Sequence, residues 1–312
     1  MTVLVVVAAT ARDPRFLSPQ TLDSVLLWLP VLLVVALGQM PVIVTKGIDI
    51  SVGSTVGLVA FSVGLIGKVN PSLPVPVLFA SGLALGALLG SLNAVLVAIA
   101  KVPPVVTTIG TLTAFRGMAF LVAQGKQIDT NNVATALTDL GRNGVHLGPI
   151  TVNWLLWLAF IPGALLAWVL ARSAIGRTVY AVGGNPVAAA LRGMDVKRIL
   201  FSVYIWSGAC AGLAGVLYLG RYGFVSAASA GVNLELNAIA AVVVGGVPVS
   251  GGSGSVLGVL AGCVLLAVVN VGLSVLGIAA DWQLLAYGAV VMAALLVDAV
   301  GRRAKESSVV AA

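Results

Sequence analysis

Thr45–Gly57 reads TKGIDISVGSTVG, and it joins one apolar run to the next with almost no polar linker. Lysine, aspartate, serine and glycine stand here where a membrane-spanning chain is usually bland. A related pattern returns at Val244–Val256, VGGVPVSGGSGSV. Laying Pro41–Ser54 over Ala240–Ser253 pairs Gly47 with Gly246, Ser51 with Ser250, Gly53 with Gly252 and Ser54 with Ser253. The shared skeleton is G-x-x-x-S-x-G-S, and it predicts an internal repeat. Short, Gly- and Pro-interrupted apolar segments in corresponding positions mark a pathway through a membrane. Bare backbone is tolerated at that depth only inside protein or against water.

Composition sets the surroundings of these two stretches. The chain has 312 residues, 60% hydrophobic and 9% charged, with a mean hydropathy of +1.11. Soluble domains carry roughly a quarter charged residues, so most of this surface faces lipid. The net charge of +7 resides in short loops, where it reads as membrane orientation rather than nucleic-acid binding. Cys210 and Cys263 lie in apolar runs, which speaks against a disulfide or a metal role. His146, the sole histidine, reads as a surface residue in a polar loop.

Apolar runs at 25–45, 50–67, 77–100, 105–123, 154–171, 199–220, 236–249, 255–277 and 283–300 are spans or near-spans. Met1–Thr10 is apolar but short and reads as an incomplete first span. The expected fold is an all-α polytopic membrane protein, about ten transmembrane helices with short broken helices and an internal repeat, forming one domain over residues 1–312. Gly82, Gly86 and Gly90 recur every fourth residue, which puts them on one helix face for close packing. Placing 172–198 in the cytoplasm gathers Lys46, Lys101, that loop's Arg172, Arg177, Arg192, Lys197 and Arg198, and the basic tail on one side. The opposite side holds fewer basic residues, so both termini are expected in the cytoplasm.

Gly176–Ile199 reads GRTVYAVGGNPVAAALRGMDVKRI. Gly183-Gly184-Asn185-Pro186 is expected to turn. Asn185 suits an N-cap and Pro186 a first helical turn. A short helix follows over Val187–Leu191 and ends at Arg192-Gly193. Such a helix on the cytoplasmic surface either anchors to anionic lipid or docks a partner. Asp49 has three roles open to it: capping the helix that follows, pairing with Lys46, or facing a passing solute. An intramembrane carboxylate costs a few kcal/mol unless it is paired or wet. Arg116, inside a span, is expected to snorkel or to pair, with Asp49 or Glu235 as candidates.

Four stretches together resemble the permease subunits of bacterial ABC importers for monosaccharides, the group of ribose, arabinose, rhamnose and autoinducer-2 systems. They are KGIDISVGS, KVPPVVTTIGTLTAFRG, AIGRTVYAVGGNPVAAALRGMDVKRI and LELNAIAAVVVGGVPVSGGSGSVLG. The resemblance runs from Leu26 to Val300 and leans toward the rhamnose and autoinducer-2 branch. A shortened first helix departs from the pattern. The resemblance implies a bacterial inner-membrane permease that translocates a small sugar or polyol-like solute by alternating access. It implies three partners: a cytoplasmic ABC ATPase that binds ATP and Mg, a second permease copy or paralogue, and a periplasmic or lipoprotein sugar-binding protein. It also implies that 172–198 is the coupling loop, with Gly183, Gly184, Asn185, Pro186, Ala189, Arg192 and Gly193 meeting the ATPase.

The residues themselves supply no chemistry of their own. The chain has no G-x-x-x-x-G-K-[ST] phosphate loop, no paired carboxylates, no metal-ligand cluster and no nucleophile triad, so no cofactor and no enzymatic activity are expected in it. A neutral solute needs hydrogen-bonding groups along its path. Gln39, Asn93, Thr107, Thr108, Asn237 and Asn270, with Asp49 and Ser51, are the candidates, each alternatively a helix-to-helix bond. Two other functions remain: an ion-coupled secondary sugar transporter, which needs a titratable group at midplane, and a non-transporting membrane scaffold.

Overall fold

The computed structural model describes residues 14–279 and, beyond them, Trp282, Leu285, Gly288, Ala289 and Met292. The expected spans at Met1–Thr10 and, in nearly all its residues, Gln283–Val300 lie outside the described part. Within it the chain is helical apart from one small hairpin: α1 Pro19–Val44, α2 Val52–Val69, α3 Val75–Ala94, α4 Pro104–Ala123, α5 Thr135–Arg142, β1 Gly144–Leu147, β2 Ile150–Asn153, α6 Trp154–Arg172, α7 Ala174–Gly184, α8 Pro186–Leu191, α9 Val196–Tyr222, α10 Leu234–Val244 and α11 Val256–Val275. A π-turn, Val95–Ile99, extends α3. Seven of these helices are long and apolar enough to cross a membrane, and α10 is a shorter apolar helix. At 1.5 Å per residue α10 covers only about half of a roughly 30 Å hydrocarbon core.

Helix α1 is the axis of the bundle, for every residue from Leu29 to Thr45 is buried. It starts cleanly because Ser18 caps it, accepting from Thr21 N at 3.3 Å, and Pro19 fills the first turn. Helix α9 crosses α3 on the predicted glycine face. A methyl at Gly86 would stand 2.5 Å from Gly212 Cα and 2.7 Å from Gly212 N, and one at Gly90 would stand 2.9 Å from Gly208 Cα. Backbones meet here with nothing between them, which is how helices gain contact where lipid removes the hydrophobic incentive. The outer faces of α3 and α4 expose Leu88 and Leu121, as lipid-facing surfaces do.

The polar stretch 124–151 holds α5, β1 and the start of β2. Its anchors are single polar residues far apart in sequence. Asp23 Oδ1 accepts from Thr151 N at 2.8 Å, and Asn153 both caps α6 and donates to Leu26 O at 3.1 Å. His146 is exposed in β1, 3.1 Å from Thr151 Oγ1.

The two glycine-serine stretches do form equivalent turns, but in a different register from the overlay above. Each leading helix ends in a Schellman motif. After α1, Lys46 N donates to Ile43 O and Gly47 N to Val42 O; after α10, Gly246 N donates to Val243 O and Val247 N to Val242 O. The left-handed residues are therefore Lys46 (φ 65°) and Gly246 (φ 85°), so Lys46, not Gly47, corresponds to Gly246. The next helices begin after Ser51 and Ser255, so the second connection is longer. A second correction concerns Gly183 and Gly184, expected in a turn: they are the last residues of α7, and the chain turns at Asn185. Ser173 nucleates that helix by accepting from Gly176 N at 3.1 Å.

Candidate functional site

Both turns end at one place, against α7. The carbonyl of Val44 is one of the unsatisfied acceptors at the end of α1, and Gly252 N of the second turn donates to it at 2.9 Å. Lys46 Nζ donates to Gly184 O at 2.9 Å, placing a cation on the negative end of the α7 dipole. Tyr180 OH donates to Gly254 O at 2.9 Å. Burial pushes the Tyr180 phenol above its ordinary value, so it stays protonated and able to donate. The fit tolerates little: a methyl on Gly183 would stand 2.8 Å from Gly252 N, and the Lys46 stem lies over Gly251. Lys46 is bound to α7 and not to Asp49, which closes the ion-pair option for Asp49.

From this junction α8 projects. Asn185 Oδ1 accepts from Val187 N at 3.1 Å and Ala188 N at 3.0 Å, as its predicted cap requires. At the other end Gly193 N donates to Ala190 O and Met194 N to Ala189 O, a third Schellman turn with Gly193 at φ 79°. Gly193 therefore has a folding role. Ala189 is buried and seats the helix, whereas Val187 is 68% and Leu191 85% exposed. Lys46, Lys101, Arg172, Arg177, Arg192, Lys197 and Arg198 gather at this end of the bundle; Lys68, Lys126, Arg142 and Arg221 lie at the other.

Below the first turn lies a polar knot. The Gln39 amide, oriented to satisfy both partners, donates to Asp49 O at 3.2 Å and accepts from Asp49 N at 3.0 Å. Gln39 sits five residues before the end of α1, so the chain has folded back by about 7 Å to bring Asp49 beside it. The Asp49 side chain is fully enclosed. Oδ1 accepts from Ser51 N at 3.1 Å and Ser51 Oγ at 2.6 Å, with Asn93 Nδ2 at 3.5 Å; Oδ2 accepts from Ser207 Oγ at 2.9 Å. Asn93 also donates to Ser51 Oγ at 2.8 Å and accepts from Thr111 Oγ1 at 2.7 Å. Thr108 Oγ1 donates to Ile48 O at 3.1 Å. Asp49 thus closes an Asx-type turn ahead of α2 and ties the connection to α3 and α9.

The candidate pathway residues fall into two groups. Gln39, Asp49, Ser51, Asn93 and Thr108 meet in the knot. Thr107 is buried close by with no partner for its hydroxyl. Asn237 and Asn270 are elsewhere, lining a cavity of about 200 Å³ near the opposite end of the bundle. Ser207, Thr111 and Tyr204 belong to the knot or its rim and were not anticipated. Tyr204 is fully buried with its hydroxyl unpartnered, 2.7 Å from where a Gly47 methyl would be. The spacing Gly208, Gly212 on α9 mirrors Gly86, Gly90 on α3 and is the signal that could have flagged this face. Arg116 is held by backbone, donating to Ala230 O at 2.7 Å and Ala227 O at 3.3 Å.

Comparison with known proteins gives the chain its relatives. Residues 21–295 match the family described as branched-chain amino acid transport system / permease component. The chain is 36% identical over 288 residues to the autoinducer 2 import system permease protein LsrC of Salmonella paratyphi B (strain ATCC BAA-1250 / SPB7), covering 92% of this chain and 81% of that one. It is 36% identical over 296 residues to LsrC of Escherichia coli (strain K12 / DH10B), covering 95% and 84%. Against LsrC of Enterobacter sp. (strain 638) it is 37% identical over 288 residues, covering 92% and 81%. No solved structure matches the chain.

Proposed function

The chain belongs to the permease-component family of the branched-chain amino acid transport type, and from that premise we propose that it moves a small sugar or polyol-like solute inward by alternating access, driven through α8. It is a multi-pass translocation subunit of an ABC importer, and hydrolysis belongs to a separate subunit. ATP and Mg are bound by that partner. The full complement is ten spans with both termini in the cytoplasm, the α7–α8 end facing inward by its excess of basic residues. A second permease, identical or paralogous, completes the passage, and a periplasmic or lipoprotein binding protein delivers the solute.

The observation that carries this reading is the junction at α7. A displacement of α8 is expected to act on α7, which is hydrogen-bonded to the first turn through Lys46 and to the second through Tyr180, while Gly252 N ties the second turn to the end of α1. Asn185, Pro186, Ala189 and Gly193 shape and seat α8; Gly183 allows the close approach of the second turn, and Gly184 supplies the carbonyl that Lys46 reaches. Arg192, with exposed Val187 and Leu191, forms the face presented to the ATPase. Asn237 and Asn270 are placed on the route through the cavity, and the enclosed knot of Gln39, Asp49, Ser51, Asn93 and Thr108, with Thr107 beside it, holds the first turn in place along it.

The test is uptake in proteoliposomes that contain the chain, its ATPase and its binding protein. Uptake that requires internal ATP and ignores ionophores supports the proposal. Uptake that survives ATP depletion and collapses with the ion gradient overturns it in favour of an ion-coupled carrier.

A further inference from the structure

The cavity near the end opposite α8 is built unlike a passive opening. Three aromatic side chains line it: Trp28 from α1, and Tyr218 and Tyr222 from α9. The two tyrosine rings lie 4.4 Å apart between centroids. Arg221 is fixed between them and α1, its guanidinium 4.5 Å from the Tyr222 ring centre and its Nη1 donating to Trp28 O at 3.3 Å. Asn237 from α10, Asn270 from α11 and Ser229 from the connecting loop complete the polar lining. At about 200 Å³, the space suits a small solute, given that one water takes about 30 Å³.

We infer that this cavity is a solute-binding subsite of the permease itself, selective for a small neutral polyhydroxylated molecule. The inference rests on the permease reading above and deepens it by giving the membrane subunit a share in selectivity. Aromatic faces accept the C–H faces of a sugar, the Asn237 amide donates and accepts at neighbouring hydroxyls, and Arg221 adds fixed donors. Ligand sites are concave, with a few convergent polar groups fixing orientation, and here the polar groups stand beside aromatic faces. An amino acid fits less well, because no carboxylate among the described lining residues meets an ammonium group. The location matters too. The cavity is walled by α1, α10 and α11, the helices that run to the two turns at the far end. Trp28 and Val44 are sixteen residues apart on one helix, about 24 Å.

Isothermal titration of the full chain in detergent micelles tests this, with autoinducer 2, D-ribose, L-rhamnose and L-leucine as probes. The expected result is saturable binding of at least one of the three polyhydroxylated probes in the millimolar range, and none of leucine. Ser229→Phe, at an exposed rim position, fills the cavity without touching the packed core, and Asn237→Leu removes one amide. Each is expected to weaken binding tenfold or more while the melting temperature is retained. Absence of saturation with every polyhydroxylated probe, preference for leucine, or unchanged binding in both variants overturns the inference. ATP-driven uptake in proteoliposomes separates the two readings. Uptake without binding to the chain removes the subsite and leaves the permease assignment standing; binding without ATP-driven uptake does the reverse.

Discussion

Substituting Asp49 separates two roles that a buried carboxylate can have, a hydrogen-bonding hub and a charge. In Asp49→Ala the hydroxyls of Ser51 and Ser207 lose the acceptor they reach at 2.6 and 2.9 Å, and Ser51 N loses one at 3.1 Å. Each buried polar group left unpaired costs about 1–3 kcal/mol. Ser207 can turn back to a carbonyl of its own helix, and Ser51 Oγ still accepts from Asn93. The expected loss is therefore about 2–5 kcal/mol rather than the full sum. Asp49→Asn keeps Oδ1 for Ser51 and turns an amide toward Ser207, whose hydroxyl can accept instead of donating. It gives up charge-assisted bonds, each stronger than a neutral one by about 1 kcal/mol, and removes the burden of burying a charge. The two changes oppose each other, so the net loss is expected at about 1 kcal/mol or less. The assay is equilibrium unfolding in mixed micelles alongside ATP-driven uptake. Asn near wild type and Ala far below it is the expected order in both. If Asn abolishes uptake while unfolding as wild type, the charge itself is needed and the hub account is refuted. If Ala unfolds as wild type, the knot does not hold the turn.

Other perturbations test separate parts of the structure. Gly86→Ala drives a methyl into α9 and is expected to destabilise by about 1–3 kcal/mol as an overpacked contact, whereas Gly110→Ala, with open space around it, is expected to be neutral or stabilising in the same unfolding assay. Asn185→Ala removes the cap of α8 and is expected to cost about 1 kcal/mol locally, seen as faster hydrogen exchange over Pro186–Leu191 without a change in global unfolding. Lys46→Met combined with Tyr180→Phe deletes both side-chain links from α7 to the turns; ATPase binding is expected to persist while uptake per ATP hydrolysed falls, and coupling at wild-type efficiency would contradict the junction's role.

What could be read from the residues was mostly local. Asn185, Pro186 and Gly193 announce α8 because capping and left-handed turns depend on neighbours in sequence. The face of Gly82, Gly86 and Gly90 is a matter of helical period. Gln39, Asn93 and Thr108 stood out because amides and hydroxyls are conspicuous in apolar runs. Their meeting with Ser207 was not legible, since Ser207 is 158 residues from Asp49 and serines are common beside small residues in packed helices. Asn237 and Asn270 looked alike to those residues but line a cavity near the opposite end of the bundle, because nothing in a helix's own sequence says which neighbour it will meet. The repeat was visible, but its register was not. Glycine matched glycine by identity, whereas the left-handed position in the first turn is filled by Lys46, whose strain of about 1–2 kcal/mol is offset by its bond to α7. Helix α7 was hidden because two glycines at its end resemble a turn.

The most direct test of the proposed coupling uses the exposed tip of α8. A photoreactive benzophenone side chain placed at Leu191, 85% exposed, is irradiated in native membranes during ATP-driven uptake. The account predicts a single major adduct between this chain and a cytoplasmic ATPase, lost when α8 is uncapped by Asn185→Ala together with Gly193→Val. Adducts with lipid alone, in membranes where uptake is intact, would contradict it.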